Sequence, residues 1–292
     1  MARYTIDQVS KISGLSKLLI RTWENRYNLF QPDRTETNIR LYSDEDLIKV
    51  LNVQLLRERG LKISKISLLD NEKINDIVRS IPGGEDGFEM KQVNGIIKSG
   101  LTFNKALFTA TIQECLPTYD IINLYKSIIL PALNKLGYLF LSGDLQPSQE
   151  HFLSELIKQR IQAEICLENE LIQDDKKCWL LFLPEGEYHE IGLLIAHLIL
   201  AQQNKRVVYL GQSVPTASLH ILNDYCSIDS ILFFAVTKKS MNKIGEIIHE
   251  LKTYFKNTPI NIVASKNAIA LDSQKNVQII TTLEQFQNLL SK

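Results

Sequence analysis

The chain has 292 residues, enough for two or three domains, and carries 33 Lys and Arg against 33 Asp and Glu. That balance excludes a protein that attracts polyanions over its whole surface, and 45% hydrophobic content excludes a disordered chain. Four cysteines (Cys115, Cys166, Cys178, Cys226) form no C-x-x-C pair, which argues against a disulfide framework or a zinc knuckle and for four buried thiols in a reducing compartment.

In chain order, Thr5 and Gln8 have capping-box spacing, and Tyr4 and Val9 are placed for the hydrophobic staple before a short helix. Gly14 ends that helix, and Ser16 caps a second one bearing Lys17, Arg21, Trp23, Arg26 and Tyr27. Two short helices joined through a glycine turn, the second basic, make a helix-turn-helix. Residues 32–42 follow as a turn between short extended pieces, a wing containing Arg34, Thr35, Asn38, Arg40 and Tyr42. The first 42 residues hold seven Lys and Arg against four Asp and Glu, so affinity for DNA is expected to be local to this segment. A helix over 44–59 opens on Asp44-Glu45-Asp46 and ends at Gly60. Pro82-Gly83-Gly84-Glu85-Asp86-Gly87 reads as a linker.

Four helices are expected at 88–99, 103–114, 118–140 and 147–169, with short breaks that suit an up-and-down bundle. After a polar link at 173–177 the texture changes. Strands are expected at 178–184, 206–210, 230–236, 260–264 and 277–280, alternating with helices at 190–203, 215–225, 240–252 and from 283 onward. Such alternation implies a doubly wound parallel sheet, flavodoxin-like, with its ligand beyond the carboxyl ends of the strands. Residues 185–192, Glu-Gly-Glu-Tyr-His-Glu-Ile-Gly, leave the first strand there. The run at 191–201 is too short to span a bilayer and contains His197, expected as a core or interface histidine, so a cytoplasmic protein without a membrane partner is expected. Trp179 is expected to pack the sheet.

The N-terminal stretch resembles the winged helix-turn-helix of MerR-family transcriptional regulators. The matching features are Thr5-Ile6-x-x-Val9, Arg21-x-Trp23-Glu24-x-Arg26-Tyr27, Pro32-x-Arg34-Thr35 and Arg40-x-Tyr42. Thr37-Asn38 stands where that family usually has a glycine, and Asn tolerates positive φ. Residues 136–151 are similar to the helical cap of cobalamin-binding regulators, with Phe140 in place of the usual Trp ahead of Glu150-His151. Glu187-x-His189-x-x-Gly192 resembles the Asp-x-His-x-x-Gly loop of cobalamin-binding domains. Ala235-Val236-Thr237 departs from that pattern's Ser-x-Leu, which meets the nucleotide arm, and Ala264-Ser265 departs from its Gly-Gly.

The fold expected is therefore multidomain: an α-rich winged helix-turn-helix at 1–75, a four-helix cap bundle at 85–172 and an α/β domain at 176–292. The expected function is sequence-specific regulation of transcription rather than catalysis, on double-stranded DNA, as a homodimer or higher homo-oligomer. Lys17, Arg21, Trp23, Arg26 and Tyr27 would read DNA, with Arg34, Thr35, Asn38, Arg40 and Tyr42 of the wing on phosphates and groove edges. By the resemblance, Phe140, Glu150, His151, Glu187, His189, Gly192 and Thr237 would hold cobalamin, with His189 and His151 as cobalt ligands, as in light-responsive repressors that use adenosylcobalamin. One alternative is a regulator of the same fold that has lost the cofactor and answers to a protein partner. Another is a corrinoid methyl-transfer protein.

Overall fold

Thr5 closes a three-residue strand β1 (Arg3–Thr5) and starts helix α1 (Ile6–Ser13), its N–H donating to Gln8 Oε1. Tyr4 and Val9 are fully buried on either side of this cap, as the staple requires. Gly14 (φ 72°) ends α1, and Ser16 Oγ accepts from Leu19 N–H at 3.2 Å to open α2 (Lys17–Tyr27). Strands β2 (Asp33–Arg34) and β3 (Arg40–Ser43) form the wing, and β3 also pairs with β1, giving the antiparallel order β1-β3-β2. Asn38 takes φ 65° at the wing turn. Helix α3 (Asp44–Glu58) begins on a reciprocal Ser43–Asp46 cap, and α4 (Ile63–Ile66) follows.

The computed structural model describes residues 3–80, 85–141, 146–168, 178–264 and 276–290. It divides into two units, Met1–Leu156 and Ile157–Lys292. In the first unit the expected linker is shorter than its Pro and Gly suggest. Helix α5 (Asn71–Ser80) precedes it, and residues 85–87 already belong to α6 (Glu85–Leu101). Residues 82–84 lie outside the described residues. Helix α7 (Lys105–Cys115) comes next, then α8 (Ile121–Leu124), which runs through a π turn (Tyr125–Ile129) into α9 (Leu130–Leu141). Pro131, just inside α9, lacks the N–H that an α-helical bond there would need, and the wider π turn absorbs that break. Helix α10 (Pro147–Glu168) carries the chain across the division between the units. Within the first unit α3 packs on α6 and α1 on α9.

In the second unit five strands, β4 (Cys178–Pro184), β5 (Arg206–Val214), β6 (Ile228–Ala235), β7 (Ile260–Ala264) and β8 (Val277–Ile280), are all parallel in the order β5-β4-β6-β7-β8. This is the doubly wound order, whose switch point lies between β4 and β6. Every residue of β4 is buried, so both sheet faces are covered. Helix α11 (Glu190–Gln202) follows β4, and α14 (Leu283–Leu290) brings Phe286 edge-on to Trp179 at 6.1 Å. On the opposite face Leu180, Phe182, Ile231 and Phe233 form a core with Ile244, Ile248 and Leu251.

Three elements differ from expectation. Strand β5 extends to Val214 because Gly211 and Ser213 take positive φ (74° and 55°) and bend the strand rather than end it. Residues 215–225 form a 3-10 segment (Thr216–Asp224), and the helix expected at 240–252 is two, α12 (Lys238–Asn242) and α13 (Ile244–Tyr254). Of the cysteines, Cys115 and Cys178 are buried, but Cys226 is half-buried and Cys166, on the outer face of α10, is exposed.

His197, on α11, stacks on Tyr209 with ring centroids 5.1 Å apart, and burial pushes its pKa down from 6.5 to about 4. Protonation therefore works against the fold. Stability from this site should be complete above pH 6.5 and lost as pH falls toward about 4. Ring resonances of His197 should accordingly stay those of neutral imidazole at about pH 5.5, where an unperturbed histidine is mostly protonated. His197→Phe should flatten this part of the stability profile in urea titrations.

Candidate functional site

The winged helix is organised by Glu24 on α2, whose side chain is only 10% exposed. Its carboxylate accepts from Arg40 Nε at 2.9 and 2.8 Å and from the Tyr42 hydroxyl at 3.1 Å, with Arg34 Nη2 at 3.6 Å. One buried carboxylate thus ties the wing to α2. Burial and this neighbour raise the Tyr42 pKa well above that of an ordinary phenol. The wing turn closes on itself through Arg34 Nη1 to Asn38 Oδ1 (2.7 Å) and Ile39 N–H to Thr35 Oγ1 (3.0 Å).

Trp23 and Tyr42 were expected at the DNA, and the structure corrects both. Trp23 is 2% exposed, packed beside Phe30 with the Arg57 guanidinium 5.7 Å from its ring, and Tyr42 is fully buried. The helical period explains this: position 23 lies on the α2 face that carries Ile20, turned to the core. Arg40 is held by Glu24 and acts first as a brace. Lys17, Arg21 and Arg26 are exposed, Arg34 is 44% exposed, and Lys17 pairs with Asp7 on the surface. Tyr27 is half-buried under the Arg26 guanidinium at 5.6 Å. Exposed Asn25, four residues after Arg21, shares the Lys17–Arg21 stripe, and i, i+4 spacing alone could have found it.

The second constellation lies at the carboxyl end of β4. Gly186 (φ 80°) turns the chain, its N–H donating to Ser213 Oγ at 3.1 Å, and Glu187 folds inward with its side chain 0% exposed. Glu187 Oε1 meets His189 Nδ1 at 2.6 Å and accepts from Tyr188 N–H at 3.1 Å. Oε2 accepts from Val236 N–H (3.1 Å), Thr237 N–H (2.9 Å) and Ser240 Oγ (2.6 Å). Burial works against the charge, but the hydrogen bonds from His189, Ser240 and Thr237 outweigh it and hold the Glu187 carboxyl well below the usual range. The imidazole itself is 66% exposed. With Nδ1 committed to Glu187, any metal it bound would be taken through Nε2. Next in sequence, Glu190 bonds to Tyr209 (2.9 Å) and Lys158 (3.3 Å), fixing the first turn of α11.

Thr237 does not offer a spare hydroxyl. It caps α12 by accepting from Ser240 N–H at 3.2 Å, and its Oγ1 lies 2.8 Å from Ser240 Oγ. Gly192 is close-packed: a Cβ there would come within 2.7 Å of Phe234 Cε1. Tested for a corrinoid, the donor set fits a histidine ligand to cobalt, while the room beside Gly192 is filled by Phe234. Ser240 and Phe234 were missed in sequence. Ser240 could have been found as the Thr-x-x-Ser cap facing a carboxylate that needs partners. In the bundle, His151 is 76% exposed with Nδ1 3.2 Å from Glu150, which also accepts from Ser154 Oγ at 2.5 Å. Phe140 lies in α9, but its side chain is outside the described residues, as is Ser265.

Residues 4–73 match the family described as MerR HTH family regulatory protein, and residues 93–163 match the B12 binding domain. The chain is 26% identical over 221 residues to the HTH-type transcriptional repressor CarH of Myxococcus xanthus, covering 74% of this chain and 73% of that one. It is 27% identical over 216 residues to CarA of the same organism, covering 73% and 70%. The HTH-type transcriptional regulator MlrA of Escherichia coli is 33% identical over 76 residues, 26% of this chain and 31% of that one. Among solved structures, the monomethylamine corrinoid protein of Methanosarcina barkeri shares the fold, with TM-score 0.57 and 12% identity over 71% of this chain and 98% of that one.

Removing either buried carboxylate leaves several donors without an acceptor. Glu24→Ala should cost about 1–3 kcal/mol in urea unfolding and loosen the wing, while Glu24→Gln should cost less. Glu187→Ala should cost a similar amount. Because the Glu187 pKa is depressed, its contribution is present above the ordinary carboxylate pKa and lost as pH falls below it. Unfolding of Glu187→Ala should therefore be less acid-sensitive than that of the unaltered chain, and equal sensitivity would contradict this.

Proposed function

We propose that this chain, a DNA-binding transcriptional regulator that joins a MerR-type helix-turn-helix domain to a B12-binding domain and is homologous to CarH and CarA, takes a corrinoid as its effector through His189. The observation that carries this reading is the Glu187 carboxylate, buried without exposure and bonded to His189 Nδ1 at 2.6 Å. A merely solvated loop histidine would not need so costly a support. The corrinoid would supply a cobalt centre with an exchangeable, light-sensitive upper bond. His189 would coordinate it, Glu187 would hold the tautomer, and Ser240 with the Val236 and Thr237 N–H groups would hold Glu187.

On the DNA side, Lys17, Arg21, Asn25 and Arg26 would meet base edges and phosphates, and Arg34 and Asn38 of the wing would meet the backbone. A single such module offers few contacts, so a homodimer on a two-fold operator is proposed. Its affinity should fall by about 0.9 log unit per neutralised phosphate for each tenfold rise in salt. No helix among the described residues is long and apolar enough to cross a membrane.

Two experiments test the two halves. On an operator selected from random duplexes, Arg21→Ala should lose about 1–3 kcal/mol of discrimination against other sequences, while Arg34→Ala should weaken all duplexes alike. Gel shifts unchanged for both variants would contradict the interface. With added corrinoid, the absorbance spectrum should report a histidine-ligated cobalt that His189→Ala abolishes. Glu187→Gln should bind about 10- to 100-fold more weakly. A histidine-ligated spectrum that persists in His189→Ala would move the ligand elsewhere.

A further inference from the structure

The space beside Gly192 bears on which corrinoid can enter. Gly192 is the third residue of α11, three after His189, and Phe234 is the penultimate residue of β6. A Cβ on Gly192 would lie 2.7, 3.4 and 3.6 Å from Phe234 Cε1, Cδ1 and Cζ. One edge of the phenyl ring therefore lies against the helix backbone and fills what the missing side chain leaves open. Phe233 points to the opposite core and is fully buried, so strand alternation commits Phe234 to the α11 face, where it is half-buried. The Glu187 carboxylate bridges the same two elements, bonding His189 ahead of α11 and Val236 and Thr237 just beyond β6. Phe234 thus stands on the α11 face at the carboxyl end of β6, the strand that flanks the switch point with β4.

A histidine that ligates cobalt from below takes the place of the cofactor's own base. The displaced base and its nucleotide arm then need a path, and in a doubly wound sheet the available room is the crevice beyond the first and third strands. The Phe234 ring, packed against Gly192, would obstruct a benzimidazole-sized group there. We propose that Phe234 sets corrinoid selectivity, so that this site takes a corrinoid without a nucleotide arm, of the cobinamide type, in preference to intact cobalamin. This rests on the reading of His189 as the cobalt ligand.

Titration of the full chain with aquocobinamide and with hydroxocobalamin, followed by absorbance and calorimetry, tests it. Cobinamide should bind at least about tenfold more tightly, with a histidine-ligated spectrum, the size of discrimination expected from steric fit in a packed site. Phe234→Ser should raise cobalamin affinity by about tenfold while leaving cobinamide within about twofold, and Phe234→Val should fall between. Thermal unfolding checks that the variants fold, and if neither does, the ratio in the unaltered chain decides. Equal binding of the two corrinoids there, or folded variants with an unchanged ratio, overturns the selectivity and leaves His189 as a ligand. Absence of binding by both corrinoids in every variant overturns the ligand reading and the selectivity with it.

Discussion

A buried carboxylate that cannot be left unpaired organises the α/β unit. Glu187 loses all its hydration, and an uncompensated charge there would cost several kcal/mol or more. It is compensated from three directions: the His189 ring, two successive backbone N–H groups at the start of α12, and the Ser240 hydroxyl. Those partners belong to the loop after β4 and to the segment running from the end of β6 into α12, so one side chain stitches together the two strands that flank the switch point. The orientation of His189 is a consequence of that compensation.

The winged helix repeats the device in a different fold. Glu24 sits at the centre of Arg40, Tyr42 and Arg34 and holds the wing against α2. In both places a mostly buried acid fixes a more exposed group: basic side chains in one case, an imidazole in the other. The cost of burial is offset locally, and the rigidity gained is of the kind that orients a site before binding.

How much of this was legible follows from what each signal reports. Period and punctuation carried the winged helix: the Gly14 turn, the Ser16 cap and the tolerance of Asn38 for positive φ are local properties. The sheet order was legible because a doubly wound parallel sheet leaves few alternatives for five strands alternating with helices. Trp23 and Tyr42 were misplaced because a motif names residues without saying which face they turn. Phe234 went unseen for a related reason. In sequence it is one of two adjacent phenylalanines in an apolar strand, and only the packing against Gly192 separates its role from that of Phe233. Gly211 and Ser213 bend β5 where composition suggested an end, since positive φ at two positions is not written in residue type alone.

The 2.6 Å contact between Glu187 Oε1 and His189 Nδ1 calls for the tautomer protonated at Nδ1, which leaves Nε2 free of the proton. Long-range nitrogen–proton correlation spectra of the His189 ring, recorded on the corrinoid-free chain near neutral pH, read this directly. The expected result is a neutral ring with its proton on Nδ1, and loss of that preference in Glu187→Ala. A ring protonated on Nε2, or a tautomer mixture that Glu187→Ala leaves unchanged, would contradict it.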